Sequence, residues 1–223
     1  MNGREAMLGR IRSALGVTSQ EIARNATIDD RLRRAPAGVI PAPAGVTPAA
    51  RVALFTRMAE KVFATVARVA SPEHVPAVVA EYLRSHNLPT AIRSGDDPRL
   101  TRLPWKETMI ELTRGPSAGK DPVGISHALA GVAETGTVVL VSGADNPTTL
   151  AFLPETHIVV LRASDIVGDY ETAWSAVRSA FGKGQMPRTV NWITGPSRSA
   201  DIEQTLLLGA HGPRRLHVIV VNG

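Results

Sequence analysis

Three stretches confine this chain to a small set of folds. Thr137–Val141 reads TVVLV, residues 157–161 read HIVVL and residues 216–221 read LHVIVV. Each is apolar at nearly every position instead of at every second one. Alternate side chains of a strand point to opposite faces of its sheet, so such a run needs cover on both. Segments with helical spacing fall before and between these runs, near residues 73–86, 169–181 and 199–209. Apolar strands alternating with helices predict an α/β domain with three layers, a mostly parallel sheet carrying helices on both faces. The whole pattern sets a helix at 49–61 before a strand at 62–67, and a helix at 73–86 before a strand at 90–92. Strands at 107–112, 123–126, 137–141, 157–161, 189–194 and 216–221 follow. In such sheets ligands bind beyond the carboxyl ends of the strands, where strand order switches.

Ahead of this pattern the chain changes character. Residues 4–15 place Met7, Leu8, Ile11 and Leu15 at helical spacing, with Gly16 as a stop. A second amphipathic piece covers 19–34. Residues 35–50, APAGVIPAPAGVTPAA, hold four prolines and no charge, which is the composition of an extended linker. Residues 1–50 therefore read as a helical arm and residues 51–223 as the α/β domain. The first helix has an apolar face that needs cover, so the arm is expected to clasp a partner or a second copy as a homodimer. No apolar region follows Met1-Asn2-Gly3-Arg4-Glu5, and no stretch approaches the roughly 18 apolar residues of a membrane span. The expectation is a cytoplasmic protein that does not engage a membrane.

Absent residue types narrow the chemistry. The chain has no cysteine, so it offers no disulfide, no thiolate nucleophile and no cysteine-ligated iron–sulfur cluster. Its histidines, at 74, 86, 127, 157, 211 and 217, show no paired ligand spacing, so no metal site is expected. His157 and His217 each open an apolar strand and read as satisfied residues at the edge of the core. The formal net charge of +5 raises the question of nucleic acid. Residues 116–223 carry eight Lys/Arg against nine Asp/Glu, so the excess lies nearer the amino terminus, away from the site-like motifs. No basic segment alternates with stacking aromatics, and no nucleic-acid partner is expected.

Several short motifs fail on spacing. GPSAGKD, residues 115–121, has three residues between its glycines where a phosphate loop needs four, and Asp121 follows Lys120. VGISHA, residues 123–128, has Ala128 where a nucleophile elbow needs glycine.

Two segments remain. VAETGTVVLVSG, residues 132–143, sets a carboxylate, Glu134, in a turn of small residues directly before an apolar strand. Burying it unpaired would be costly, so it reads either as a site carboxylate or as an anchor that accepts backbone amides. ITGPSRSADIEQTLLLGAHGP, residues 193–213, places Gly195-Pro196 after a strand and Ser197 or Ser199 where a helix could be capped. Amides at that helix start, with Arg198 beside them, could hold a carboxylate or phosphate. Asp201 and Glu203 would occupy its first turn, where Asp201 could accept hydroxyls or pair with Arg198.

AETGTVVLVSG, AFLPETHIVVL and GPSRSADIEQTLLLGAHGP, in that order and spacing, resemble the signature run of the lactate utilisation protein C family with its LUD domain. REAMLGRIRSALG is similar to that family's opening helix. The resemblance implies a domain similar to the sugar-phosphate isomerase and CoA-transferase superfamily. It also implies a part in oxidising L-lactate to pyruvate beside partner proteins that carry iron–sulfur clusters. Its site positions fall on Glu134, Thr135, Gly136 and Thr137, on Ser197, Arg198, Asp201 and Glu203, and on His211 and Gly212. By analogy with the related transferases, Glu134 would be the catalytic residue, and Thr135, Gly136, Thr137, Ser197, Arg198, Asp201 and His211 would bind substrate, a small carboxylate. Ala151 stands before Phe-Leu-Pro where relatives often have serine. Two other readings stay open. One is a stand-alone isomerase- or transferase-like enzyme acting through Glu134 on a hydroxy acid, sugar phosphate or acyl group, with Arg198 holding the anion. The other is a ligand-sensing or structural protein.

Overall fold

The structure, a computed structural model, describes residues 3–18, 20–34, 38–41, 47–182, 184–200 and 206–222. By contacts it divides into two compact units, Met1–Val39 and Ile40–Gly223. The first holds α1 (Gly3–Leu15) and α2 (Ile22–Arg34), neither of which buries a residue. In the second, α3 (Pro48–Lys61) leads to β1 (Thr65–Val69), and α4 (Val75–Ser85) to β2 (Ala91–Ser94). A short α5 (Pro98–Thr101) precedes β3 (Glu111–Arg114), β4 (Val123–His127), β5 (Ala130–Val132) and β6 (Thr137–Val141). Then come β7 (Thr156–Arg162), β8 (Ile166–Val167) and α6 (Tyr170–Phe181). β9 (Val190–Ile193), β10 (Arg198–Ala200), β11 (Leu206–Leu208) and β12 (Arg215–Val221) complete the order.

The expected parallel sheet is present. Six strands in the order β1-β12-β7-β4-β2-β3 all run parallel, with the two longest, β12 and β7, paired from Arg215↔Thr156 to Val221↔Arg162. Their side chains alternate as the apolar runs require. Ile158, Val160, Ile219 and Val221 pack on Val75, Val79, Tyr82 and Leu83 of α4 and on Leu100 and Trp105. Val159, Leu161, Leu216, Val218 and Val220 pack on Val52, Phe55 and Ala59 of α3. Full burial of each such side chain stabilises by about 1.5–3 kcal/mol. Local signals fix the helix starts: Thr47 accepts the Ala50 amide ahead of Pro48, and Asp169 accepts the Thr172 amide at 2.8 Å to open α6.

The strand at 137–141 is real but belongs elsewhere. β6 lies in a second sheet ordered β8-β5-β6-β9, paired antiparallel to both β5 and β9. Val138 and Leu140 join the core under the large sheet, while Val139 faces Ala173 and Val177 of α6. Cover on both faces explains the unbroken run, because a sheet sandwiched between layers needs apolar side chains whatever its strand direction. β5 and β8 were not legible in the sequence, being three and two residues long.

Three boundaries shift. The first strand begins at Thr65 rather than 62, because Phe63 adopts a left-handed φ of 69° that turns the chain. Residues 105–107 form one 3-10 turn, so the strand expected at 107–112 starts at Glu111. The helix expected at 199–209 is absent from the described residues of that span. Instead β10 and β11 pair antiparallel, Arg198↔Leu208, Ser199↔Leu207 and Ala200↔Leu206. The supposed cap explains the difference: the Ser197 hydroxyl accepts the His211 amide at 3.3 Å, across the hairpin instead of along a helix. Residues 201–205 lie outside the described residues, and with them the expected roles of Asp201 and Glu203.

Candidate functional site

A cavity of about 290 Å³ opens where β9 runs into β10, against the amino ends of β7 and β12. Gly195 makes the bend after β9. Its φ is 76°, and a Cβ there would stand 2.2 Å from the Val62 carbonyl oxygen, so only glycine fits. Ser197 then locks the strand to the 209–213 loop. Its amide donates to Pro213 at 2.8 Å, and its carbonyl accepts from Gly209 at 2.9 Å. The result sets Ser197, Arg198, His211 and Gly212 around one space, with Phe152, Trp192 and Leu216 as apolar wall. The exposed Arg198 guanidinium sits 5.5 Å from the centre of the Phe63 ring.

His157 forms the floor of this cavity and is fully buried. Its Nε2 pairs with the Ser126 hydroxyl at 3.1 Å, but Nδ1 is buried without a partner among the described residues. Burial pulls its pKa down to about 4, so the ring is neutral at neutral pH. The sequence reading as a satisfied core-edge histidine is therefore half right. For His217 it is half right too: Nδ1 meets the Thr65 hydroxyl at 2.8 Å, the ring stacks on Tyr82, and Nε2 is buried and unpaired.

The Glu134 turn is placed differently from the sequence argument. It is the tip of the β5–β6 hairpin, closed by the Gly136 amide on the Val132 carbonyl at 2.9 Å. Gly136 has a φ of 69° and presses on α3, where a Cβ would fall 2.2 Å from the Ala59 nitrogen. That contact lies beside the amino end of β1, so the rule about carboxyl ends of parallel strands does not reach Glu134. The half-buried Glu134 is not among the residues lining the cavity, and its carboxylate has no hydrogen bond or ion pair among the described residues. Only its amide is engaged, with the Gly168 carbonyl at 3.2 Å. Thr135 and Thr137 do connect to the cavity. Their hydroxyls lie 2.7 Å apart, and Thr137 also meets the Tyr170 hydroxyl at 2.9 Å and Thr194 Oγ1 at 2.7 Å. Thr194 lines the cavity.

Of the expected site residues, then, Ser197, Arg198 and His211 converge, Thr135 and Thr137 reach them through hydroxyls, and Gly136 holds the frame. His157, Thr194 and Tyr170 were missed. His157 carried a weak signal, a polar residue opening an otherwise apolar strand; Thr194 and Tyr170 carried none. Among the described residues no cluster of three or more His, Asp or Glu could hold a metal ion, and no helix is long and apolar enough to cross a membrane.

Parallel sheet and covering helices define an α/β protein with a pocket beside the strand ends. The family can be stated more closely: a model of the LUD domain matches residues 52–221, and the chain belongs to that family. It is similar to Lactate utilization protein C of Geobacillus sp. (strain WCH70), 44% identical over 100 residues, which is 44% of this chain and 42% of that protein. Lactate utilization protein C of Bacillus subtilis (strain 168) is 41% identical over 101 residues, 45% of this chain and 42% of the relative. The matched stretch thus spans less than half the length of these relatives. In fold, the chain is similar to a crystal structure of a DUF162 family protein from Deinococcus radiodurans, with a TM-score of 0.61 at 24% identity. That likeness covers 79% of this chain and 99% of the other.

Proposed function

We propose that this chain serves lactate utilisation as the non-cluster component of a system that oxidises L-lactate to pyruvate, in the cytoplasm and beside iron–sulfur partner proteins. The observation that carries this reading is the similarity, at about 40% identity, to relatives named Lactate utilization protein C. The oxidation removes two electrons and two protons from lactate. This chain has no cysteine, so a cysteine-ligated cluster that takes the electrons would belong to a partner. In this reading the cavity at the amino end holds a small carboxylate, with Arg198 facing the charge and Ser197 and His211 beside it. The arm, whose two helices bury no residue, serves as the surface for a second copy in a homodimer.

Anaerobic, lactate-dependent dye reduction by the reconstituted iron–sulfur partners is the test. Activity should require this chain and fall about tenfold with Arg198→Ala, the loss expected for one charge-assisted contact. Glu134→Gln should keep activity, because the carboxylate stands apart from the cavity; activity lost with the fold intact would give Glu134 a chemical role. Full activity without the chain would remove it from the reaction.

A further inference from the structure

The amino end of the large sheet carries an apolar surface that its own fold leaves uncovered. Seven large apolar side chains are exposed among the described residues from 47 onward. Five of them gather here: Phe63, Phe152, Leu153, Leu207 and Leu208, each 44–57% exposed. Contacts link them around the mouth of the cavity described above. Phe63 lies under the Arg198 guanidinium, Arg198 pairs with Leu208 across the β10–β11 ribbon, and Phe152 lines the cavity with Arg198. Leu208, Phe152 and Leu153 also line an adjoining cavity of about 550 Å³. The other two exposed side chains, Met109 and Met186, line neither. We propose that this surface docks an iron–sulfur partner protein whose own face is apolar at its centre and ringed by carboxylates. The proposal rests on the lactate-oxidising role given above and adds the place where the electron acceptor sits.

Two parts of this surface are costly for a chain that stands alone. Phe63 holds a left-handed φ of 69°, where glycine or asparagine fits and a bulky side chain is strained. Its ring is more than half exposed, so burial within this chain does not offset that strain. β10 and β11 form a two-stranded ribbon apart from both larger sheets. Such a ribbon is marginal in water. Leu207 and Leu208, neighbours on one strand, expose apolar groups on both of its faces. A covering protein supplies what the ring and the ribbon lack.

Size and charge choose the occupant. Side chains of this kind and exposure present roughly 400 Å² together. That is close to the apolar part, about 450 Å², of one side of a standard interface. At the rim, Arg198 is exposed and has no ion-pair partner among the described residues. Arg214 and Arg215 share one carboxylate, Glu155, at 3.2 and 3.3 Å. Three arginines to one glutamate repel a second copy of the same rim and favour a face ringed by Asp and Glu. The position fits the chemistry as well. A lactate oxidised in the cavity gives up two electrons, and this chain has no cysteine to ligate a cluster between cavity and surface. An acceptor docked over the mouth takes both electrons into its own clusters, and the two protons pass to water.

Sedimentation of the full chain with each reconstituted iron–sulfur partner tests this, beside dye reduction. One partner should bind, more tightly at low salt than at high. Phe63→Asn should weaken that binding about tenfold or more and leave the thermal melt unchanged or higher, since asparagine suits the bend. A merely structural ring would lower the melt and spare the binding. Leu153→Ser and Leu208→Ser should each weaken binding severalfold. Arg214→Gln should flatten the salt dependence, and Met109→Ser should change nothing. Failure of every partner to bind at micromolar concentration overturns the surface, as does binding that all three apolar substitutions leave intact. Self-association of the chain that Phe63→Asn abolishes would give the surface to a second copy and overturn the proposal. Dye reduction may proceed without the chain while Phe63→Asn still releases a bound partner; the lactate-oxidising role then falls and the docking surface stands.

Discussion

The two ends of the large sheet are held together by different physics. At the amino end the frame is backbone against backbone: Gly136 on α3, Gly195 on Val62, Ser197 on the 209–213 loop. The ion pairs there, Glu155 with Arg214 and Arg215, lie near the surface, and the buried His157 keeps one ring nitrogen unpaired. At the carboxyl end the frame is ionic, with Arg99 on Asp97 and Arg162 on Asp165 around the buried His127, whose Nδ1 faces the Ala128 carbonyl. Steric frames fail when volume is added, and ionic frames fail when charge is removed. The ends should therefore answer to different perturbations.

Acid is the exception that strikes both, and its effect should be the largest. His127, His157 and His217 each have a folded pKa of about 4, in every case chiefly through burial. Unfolded histidine titrates near 6.5, so between pH 6.5 and 4 the unfolded chain holds more protons than the folded one. Stability should be independent of these groups above pH 7. It should fall on acidification through that window by up to about 1.4 kcal/mol per pH unit for each ring. Urea denaturation from pH 7.5 to 4.5 measures the slope. His157→Gln should reduce it by one proton, and an unchanged slope would mean that His157 titrates alike in the folded and unfolded states.

Gly195→Ala should come next, at about 3 kcal/mol or more in a thermal or urea melt, because the bend at φ 76° leaves no room before the Val62 carbonyl. Asp97→Asn strikes the other end. It unpairs Arg99 and weakens the acceptor of the Arg99 amide at 2.9 Å. The Arg99 side chain is 42% exposed, so water screens part of the loss, and about 2 kcal/mol is expected by urea titration. If Asp97→Asn also disturbs ligand binding at the amino end, the two frames are coupled and the contrast between them is too sharp.

The same contrast shows what the sequence made legible. Unbroken apolar runs showed which strands are covered on both faces, and that pattern carries the large sheet. It could not separate β6 from the parallel strands, because cover, not direction, makes a strand apolar. The helix expected at 199–209 failed because serine followed by acidic residues is a local signal, whereas Ser197 is used across the chain by His211. Ser197, Arg198 and His211 were legible through a motif of neighbouring residues. The cluster of Arg99, His127 and Arg162 was not, since these residues come from α5, β4 and β7 and meet only when those elements pack.

The smallest effect probes the link between the Glu134 turn and the cavity. Thr137 shares its hydroxyl with Thr135, Tyr170 and Thr194, so Thr194→Val removes one partner of three and leaves Thr137 bonded. About 1 kcal/mol should be lost, the usual net value of a hydrogen bond whose other partner stays satisfied. Size alone would not show that the hydroxyls act as a chain. A cycle with Tyr170→Phe does, because removing both ends should cost less than the two single losses added together, with a coupling of about 0.5 kcal/mol or more. Strict additivity would mean that Thr137 holds its neighbours independently. The hairpin turn would then have no line to the cavity wall beyond the backbone, and a working role for Glu134 would lose its physical route.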